Sequence, residues 1–291
     1  MRNKKFDFAK FLISVFIGIF SVITVYPFLY ILCYSLSDSA AVMSHPVTFL
    51  PVKFTLVNFA LVFQNSVIYS AFLVSVSRTT IGIVYALIVT GLAAYALSRP
   101  IFPGKRVISL LLVIPMYLSG GLIPYYVLIY QLGLVDNFLV FILPLGFGAF
   151  NMLVMRTYFE GIPESLPESA RLDGAGELTI FIRLIVPLSA PIIATISMFV
   201  GVGQWNSWFD GMLFISNPKL MPMATMLVNL MQSYQGSDIA IMLASKMQGK
   251  SVSQESIKMA TIMVSTIPIV CIYPFFQKYF IKGVMIGAVK A

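Results

Sequence analysis

Six long apolar segments set the strongest limit on how this chain can fold. Each contains about the 20 predominantly apolar residues that an α-helix needs to cross a bilayer. Because the bilayer core has no water to bond free backbone N–H and C=O groups, such segments must be helical. The six predicted spans are Phe11–Tyr34, Val67–Leu97, Val107–Tyr130, Phe138–Met155, Leu188–Trp208 and Met259–Phe280.

Composition supports the same fold class. Hydrophobic residues make up 59% of the chain and charged residues only 10%, whereas soluble domains carry roughly 25% charged residues. The first apolar segment is too long for a signal peptide, and no small-residue cleavage site follows it before Asp38. We therefore predict an all-α, polytopic membrane protein with six transmembrane helices.

The basic residues predict an orientation. If the N-terminus is cytoplasmic, thirteen of the 19 Lys and Arg residues fall in cytoplasmic segments and five in outer ones. This bias follows the positive-inside rule and predicts that both termini are cytoplasmic. Arg78 lies inside the second predicted span. It should face protein or the aqueous path and not lipid, because a charge facing lipid is costly. There it could meet a carboxylated sugar, but we expect snorkelling to the lipid headgroups.

Residue content argues against several classes of enzyme. His45 is the only histidine, so no histidine metal cluster can form, and we predict no metal site. Cys33 and Cys271 lie in apolar segments and are expected to be small buried hydrophobes. No Walker motif occurs, so any ATP hydrolysis must come from a partner. We predict no catalytic residues and no cofactor bound by this chain.

The segment from Thr157 to Pro187 is unusually acidic for a cytoplasmic loop. Ser165 and Glu168 have capping-box spacing, and Gly174 is a natural left-handed stop. This predicts a helix from Leu166 to about Asp173. A second helical piece should start near Glu177 with an apolar face of Phe181, Leu184 and Ile185. Acids at fixed helical positions can bind arginines of another surface, so we predict a docking element.

The same loop resembles the EAA motif of ABC importer permeases, which reads Glu-Ala-Ala, three residues, Gly, nine residues, Ile-x-Leu-Pro. Here Glu168-Ser169-Ala170, Gly174 and Leu184 to Pro187 take those positions. The insert "LDGA" at Leu172–Ala175 is typical of maltose-type carbohydrate importers. Six further stretches are similar to that family: "FTLVNF", "GLVDN", "WNSWFDGM", "ESIKMA", "SGGLIPYY" and the terminal "QKYFIKGVMIGAVKA". The last two resemble a branch for larger or acidic oligosaccharides.

The resemblance implies the type I ABC importer permease fold. Residues 1–66 would form an N-terminal segment, the first span and an outer loop. Residues 67–291 would form the permease core, with a coupling loop at 157–187 and an outer loop at 210–258. The coupling helix of the family sits on a cytoplasmic ATPase subunit. The implied coupling residues are Glu168, Ser169, Ala170, Asp173 and Gly174. The alternative for Glu168 is a capping-box residue that only stabilises its own helix, and this role is compatible with docking.

The resemblance also implies an assembly in a bacterial cytoplasmic membrane. The expected partners are a second homologous permease, two ATPase subunits that bind ATP and Mg, and an extracytoplasmic sugar-binding protein that delivers an oligosaccharide. The main alternative is a self-sufficient secondary transporter of a small polar solute. Such transporters usually have repeated halves and acids near the bilayer midplane, and no Asp or Glu lies centrally in any predicted span.

The end of the fifth span suggests a sugar path. Trp205 and Trp208 are three residues apart, which would place them on one helical face. Aromatic rings that stack on a sugar face, beside amides that hydrogen-bond its hydroxyl groups, suit carbohydrate binding. Tryptophans also form belts at membrane interfaces, however. The candidate path residues are Gln204, Trp205, Asn206, Trp208, Tyr125 and Arg78.

Overall fold

The computed structural model describes residues 8–118, 120–232 and 253–288. Part of the predicted outer loop (233–252), Ser119 and the last three residues lie outside these ranges. Within them the regular structure is helical, apart from one isolated bridge between Ser37 and Phe54. We number the α-helices α1 Phe8–Ser35, α2 Ser39–Ser44, α3 Val57–Gln64, α4 Ser66–Ser98, α5 Lys105–Val113, α6 Leu122–Gln131, α7 Ala149–Glu160, α8 Ser165–Leu172, α9 Glu177–Ile180, α10 Val186–Leu188, α11 Ala190–Asn206, α12 Phe209–Phe214, α13 Met223–Gln232 and α14 Gln254–Ala288.

Three stretches of helix in the described residues are long and apolar enough to cross a bilayer: Ala9–Ser35, Ser66–Ser98 and Glu255–Pro274. A fourth span is possible if Glu177–Leu188 and Ala190–Asn206, bent by 85° to each other, cross the membrane as one element. The prediction of a helical membrane protein is confirmed.

Two of the predicted spans are not continuous helices. The segment 107–130 runs through α5, a 3-10 turn at Ile114–Met116 and then α6, with Gly121 at φ 85° in the break. The segment 138–155 starts as a 3-10 turn, Phe138–Phe141, and becomes helical only at Ala149. Pro115 and Pro144 cannot donate a backbone hydrogen bond, and neighbouring glycines give little support to a helix, so both segments break there.

The chain divides into two compact units. The first consists of residues 1–69 and 229–267, and the second of residues 70–228 and 268–291. Polar contacts hold the first unit together: Asn58 donates to the carbonyls of Ser35 and Ser37 at 2.8 and 2.9 Å. Cys33 is buried there as predicted. The expectation that Cys271 is buried is wrong: it lies in the second unit beside Val270 and Ile272 on α14, and all three are exposed.

The second unit has a hydrophobic core that joins the charged loop to the spans. Apolar residues of α4, α7 and α11 pack around the segment that follows α9. Because this core holds both ends of the loop, the loop has a defined position on the spans. Its buried members are Ala94, Tyr95, Leu97, Met152, Met155, Phe159, Ile180, Phe181, Ile185, Ile192 and Ile196.

Candidate functional site

Helix α8 is the predicted helix of the charged loop, and it begins and ends close to the predicted residues. Gly174 has φ 83°. The Ala175 N–H donates to the carbonyl of Ala170 at 2.9 Å, and the Gly174 N–H to that of Arg171 at 3.0 Å. These two hydrogen bonds form a Schellman motif, which favours glycine at the left-handed position. The predicted stop at Gly174 is confirmed.

The predicted capping box is wrong. The residue before the first helical turn is Glu164, not Ser165, and its side chain caps no backbone N–H group. Ser165 is already helical, so its hydroxyl is not in the capping position. Glu168 is therefore not the second half of a capping box.

The apolar face predicted after Glu177 is present. Phe181 and Ile185 are buried and Leu184 is partly buried in the core of the second unit. The structure adds a π-helical turn at Phe181–Ile185, which the sequence did not indicate. The chain then bends at Ser189, between α10 and α11.

Three of the five acids of the loop are paired within the chain. Glu160 accepts from Lys105 at 2.9 Å and from Arg156 at 3.0 Å. Glu164 accepts from Arg99 at 3.0 Å and from Arg171 at 3.2 Å. Burial raises the pKa of Glu160, but the hydrogen bonds from Lys105 and Arg156 outweigh it and leave that pKa below its ordinary value. These two acids are therefore paired within their own chain.

Glu177 is the third paired acid. Its Oε1 accepts from Arg171 Nε at 2.7 Å, and its Oε2 accepts from the Tyr95 hydroxyl at 2.5 Å. Through Tyr95, this carboxylate connects the start of α9 to α4. Arg171, bound to both Glu164 and Glu177, bridges two of the acids.

The remaining two acids, Glu168 and Asp173, are exposed. Their side chains make no hydrogen bond or ion pair with the part of the chain that the structure describes. Leu172 follows Glu168 by four residues, so the two share a helical face. At 90% exposure, Leu172 is the most exposed large hydrophobic residue among those described. Leu172 was not among the predicted coupling residues, although its position one turn after Glu168 was visible in the EAA-like stretch.

Arg78 occupies a buried polar site in the second unit and is fully inaccessible to solvent. Its Nη2 donates to Asp210 Oδ2 at 2.5 Å, and its Nε and Nη2 donate to Gln204 Oε1 at 3.1 and 3.0 Å. Its guanidinium carbon lies 4.2 Å from the centroid of the Phe141 ring. The expectation that Arg78 snorkels to headgroups is therefore wrong, because a carboxylate from α12 neutralises the charge inside the protein.

Gln204 completes this site. Its Nε2 donates to the carbonyl of Phe141 at 2.9 Å, so both ends of the amide are bonded within the chain. A Cβ atom at Gly82 would lie 2.9 Å from Gln204 Nε2, so the glycine allows the close approach of the two helices. Arg78 and Gln204 thus bind the protein and present no surface to a solute in this structure.

The two tryptophans do not share a helical face. Helix α11 ends at Asn206, Ser207 has an extended conformation, and Trp208 precedes α12. Trp205 is 8% exposed and packs edge-on against Phe72. Trp208 is 39% exposed. The predicted shared face is wrong because the helix stops between the two residues.

The other path candidates differ in their surroundings. Trp205 lines a cavity of about 90 Å³ whose other walls are largely apolar. Asn206 is exposed. Tyr125 is 38% exposed and packs edge-on against Phe214. Exposed polar and aromatic groups are therefore found on Trp208, Asn206 and Tyr125. Among the residues that the structure describes, no three His, Cys, Asp or Glu side chains cluster so as to hold a metal ion.

Apolar helices of bilayer length, together with a short polar helix exposed on the loop between them, define a multi-pass membrane protein. Comparison with protein families makes this class specific. The profile of the family described as "binding-protein-dependent transport system inner membrane component" matches residues 88–286. The match covers more than half of the chain, and the protein belongs to this family.

Relatives cover the whole chain. It is 36% identical over 292 residues to the polygalacturonan/rhamnogalacturonan transport system permease protein YtcP of Bacillus subtilis, with 100% of both chains covered. The arabinooligosaccharides transport system permease protein AraQ of Halalkalibacterium halodurans is 26% identical over 295 residues, again with 100% of both chains covered. The resemblance to carbohydrate ABC importer permeases is confirmed.

A solved structure has the same fold. It comes from the crystal structure of a bacterial ABC transporter involved in the import of the acidic polysaccharide alginate. The TM-score is 0.88 at 31% sequence identity, and the match covers 96% of this chain and 99% of that one. The protein therefore has the fold of an ABC importer permease.

Proposed function

We propose that this chain is a permease subunit of an ATP-driven importer, forms half of the path for an oligosaccharide, and couples to a cytoplasmic ATPase through α8. Membership of a family of binding-protein-dependent inner membrane components supports the transport role. The sugars named for two relatives, and the alginate named for the structural neighbour, support an oligosaccharide. The neighbour's substrate favours an acidic one.

The exposed face of α8 is the observation that supports coupling most directly. Glu168 offers a carboxylate that nothing in the described chain neutralises, and Leu172 offers an apolar side chain that nothing covers. Burying a leucine contributes about 1.5–3 kcal/mol, and a carboxylate can form a bidentate pair with an arginine. The face thus fits a partner surface with an arginine beside an apolar pocket. Ser169, Ala170, Asp173 and Gly174 would surround these two contacts.

The partners follow from this arrangement. The ATPase subunits would bind ATP and Mg and carry out hydrolysis, so this chain would need no catalytic site or cofactor of its own. A second, homologous permease would complete the path, and a sugar-binding protein would deliver the cargo from outside. With α8 on the cytoplasmic side, both termini would also be cytoplasmic.

For the sugar path we propose the exposed residues Trp208, Asn206 and Tyr125. A tryptophan ring can stack on a sugar face, while an amide and a hydroxyl can orient its hydroxyl groups. Trp205, Gln204 and Arg78 would support this site from the protein interior. A self-sufficient transporter of a small polar solute is the alternative, and it would have no use for an uncovered docking helix.

Binding of an ATPase subunit to the purified permease tests the proposal. Glu168→Ala and Leu172→Ala should each lose a contact at the centre of the interface, where such residues contribute roughly 2–4 kcal/mol. Since each 1.4 kcal/mol is about tenfold in Kd, the affinity should fall at least about 25-fold. Met43→Ala is the matched control, because Met43 is an apolar residue of similar exposure (86%) in α2. Wild-type affinity in both α8 variants would refute the docking assignment.

A further inference from the structure

Five side chains at the end of α4 and in the charged loop form a closed ring of contacts. Arg99 Nη1 donates to Glu164 Oε2 at 3.0 Å, and Arg171 Nη1 donates to Glu164 Oε1 at 3.2 Å. Arg171 and Tyr95 both donate to Glu177, as described above. The ring closes where the Arg99 guanidinium carbon lies 4.8 Å from the centroid of the Tyr95 ring. Every member has two partners in the ring.

The ring holds helix α8 at both ends. Glu164 directly precedes the first residue of α8, and Arg171 lies in its last turn. The first end is tied to α4 through Arg99. The second end is tied to α4 through Glu177 and then Tyr95. Helix α8 therefore cannot rotate about its axis or tilt against α4 without breaking at least one of these contacts.

Arg99 is itself held in place on the α4 side. Its Nε donates to Ser98 Oγ at 3.2 Å, and Ser98 Oγ donates to the carbonyl of Tyr95 at 2.7 Å. The Arg99 side chain is only 10% exposed, whereas those of Glu164 and Arg171 are 38% and 30% exposed. Ion pairs as exposed as the latter usually add little to stability. The ring is thus better suited to setting geometry than to holding the fold together.

We infer that the ring of Tyr95, Arg99, Glu164, Arg171 and Glu177 passes movement of the docked helix α8 to the spanning helix α4. This inference rests on the proposed docking of α8. A partner that pulls or turns α8 through Glu168 and Leu172 would move α4 with it, since the helices are linked at two points. The five residues are positioning residues and need not touch the ATPase or the sugar.

The two glutamates of the loop allow a matched test. Glu160 and Glu164 are equally exposed (38%), and each binds two basic side chains, but only Glu164 belongs to the ring. In the full complex, Glu164→Gln should leave ATPase affinity unchanged. It should lower the stimulation of ATP hydrolysis by the loaded binding protein about fivefold or more. Fivefold is about the smallest effect that one site typically has on the affinity of a distant, coupled site. Glu160→Gln should leave both measurements at the wild-type level.

Tyr95→Phe provides a second variant should Glu164→Gln fold poorly. It removes the hydrogen bond to Glu177 but keeps the aromatic ring under Arg99, so stimulation should fall less than in Glu164→Gln. Wild-type stimulation in both ring variants would overturn the inference, and so would an equal loss in Glu160→Gln. Loss of ATPase binding in Glu164→Gln would also overturn it, because the residue would then act in docking. Failure of the wild-type permease to bind an ATPase would instead refute the proposed function.

Discussion

The buried pair of Arg78 and Asp210 should be the most sensitive polar contact in the described residues. Asp210→Ala removes the one carboxylate that faces the Arg78 guanidinium and leaves it with neutral partners, the Gln204 side chain and the Ser207 carbonyl. It also removes the acceptor for the Ser207 hydroxyl and for the Gly211 N–H, which lie 2.8 and 3.0 Å from Asp210 Oδ1. The variant therefore leaves a cation buried without a counter-ion.

The expected cost follows from the burial of the two groups. The Arg78 side chain is 0% exposed and that of Asp210 is 15% exposed. Removing one partner of a buried ion pair costs about 3–5 kcal/mol, and the partial exposure of Asp210 favours the lower end. In contrast, Glu160→Gln disrupts pairs at the surface, each of which contributes about 0–1 kcal/mol. Because Glu160 makes two such pairs, the two variants should differ by at least about 1 kcal/mol.

The free energy of unfolding in detergent micelles, from denaturant titration, measures this difference. A second variant, Arg78→Met with Asp210→Ala, removes the charge together with its partner. It should be more stable than Asp210→Ala alone by about 1 kcal/mol or more, because an apolar side chain then replaces the unpaired cation. The reasoning is refuted if Asp210→Ala costs no more than Glu160→Gln, or if the double variant is no more stable than Asp210→Ala alone.

Two further predictions concern the sugar path and the orientation. Trp205→Ala should lower the free energy of unfolding by roughly 3–5 kcal/mol because Trp205 is buried. Trp208→Ala should instead lower sugar uptake per assembled complex with little loss of stability. Unchanged uptake per complex in Trp208→Ala would leave only a membrane-belt role. In a background without Cys33 and Cys271, Ser169→Cys should react with an impermeant maleimide only in inside-out vesicles and Ser216→Cys only in right-side-out ones. Labelling of both positions from one side would contradict the proposed orientation.

Local features of the sequence predicted the fold class and the start and end of helix α8. Hydropathy and segment length were enough for the three continuous helices of bilayer length in the described residues, since a helix bonds its backbone within one segment. Gly174 was enough for the end of α8, because a left-handed residue is favoured there whatever packs around it. The breaks in the third and fourth predicted spans were also marked locally, by Pro115 and Pro144. Both segments were nevertheless predicted as continuous helices, because the residues around these prolines are strongly apolar.

The partners of charged side chains were beyond local reasoning. Arg78 and Asp210 are separated by 132 positions, and Arg99 and Glu164 by 65. Nothing in either local pattern tells which distant carboxylate meets which arginine, because this depends on how the helices pack. The same holds for the acids of the loop: packing neutralises Glu160, Glu164 and Glu177 and leaves Glu168 and Asp173 exposed. Composition identifies a charged membrane loop, but only the packing of distant helices determines which of its charges a partner can reach.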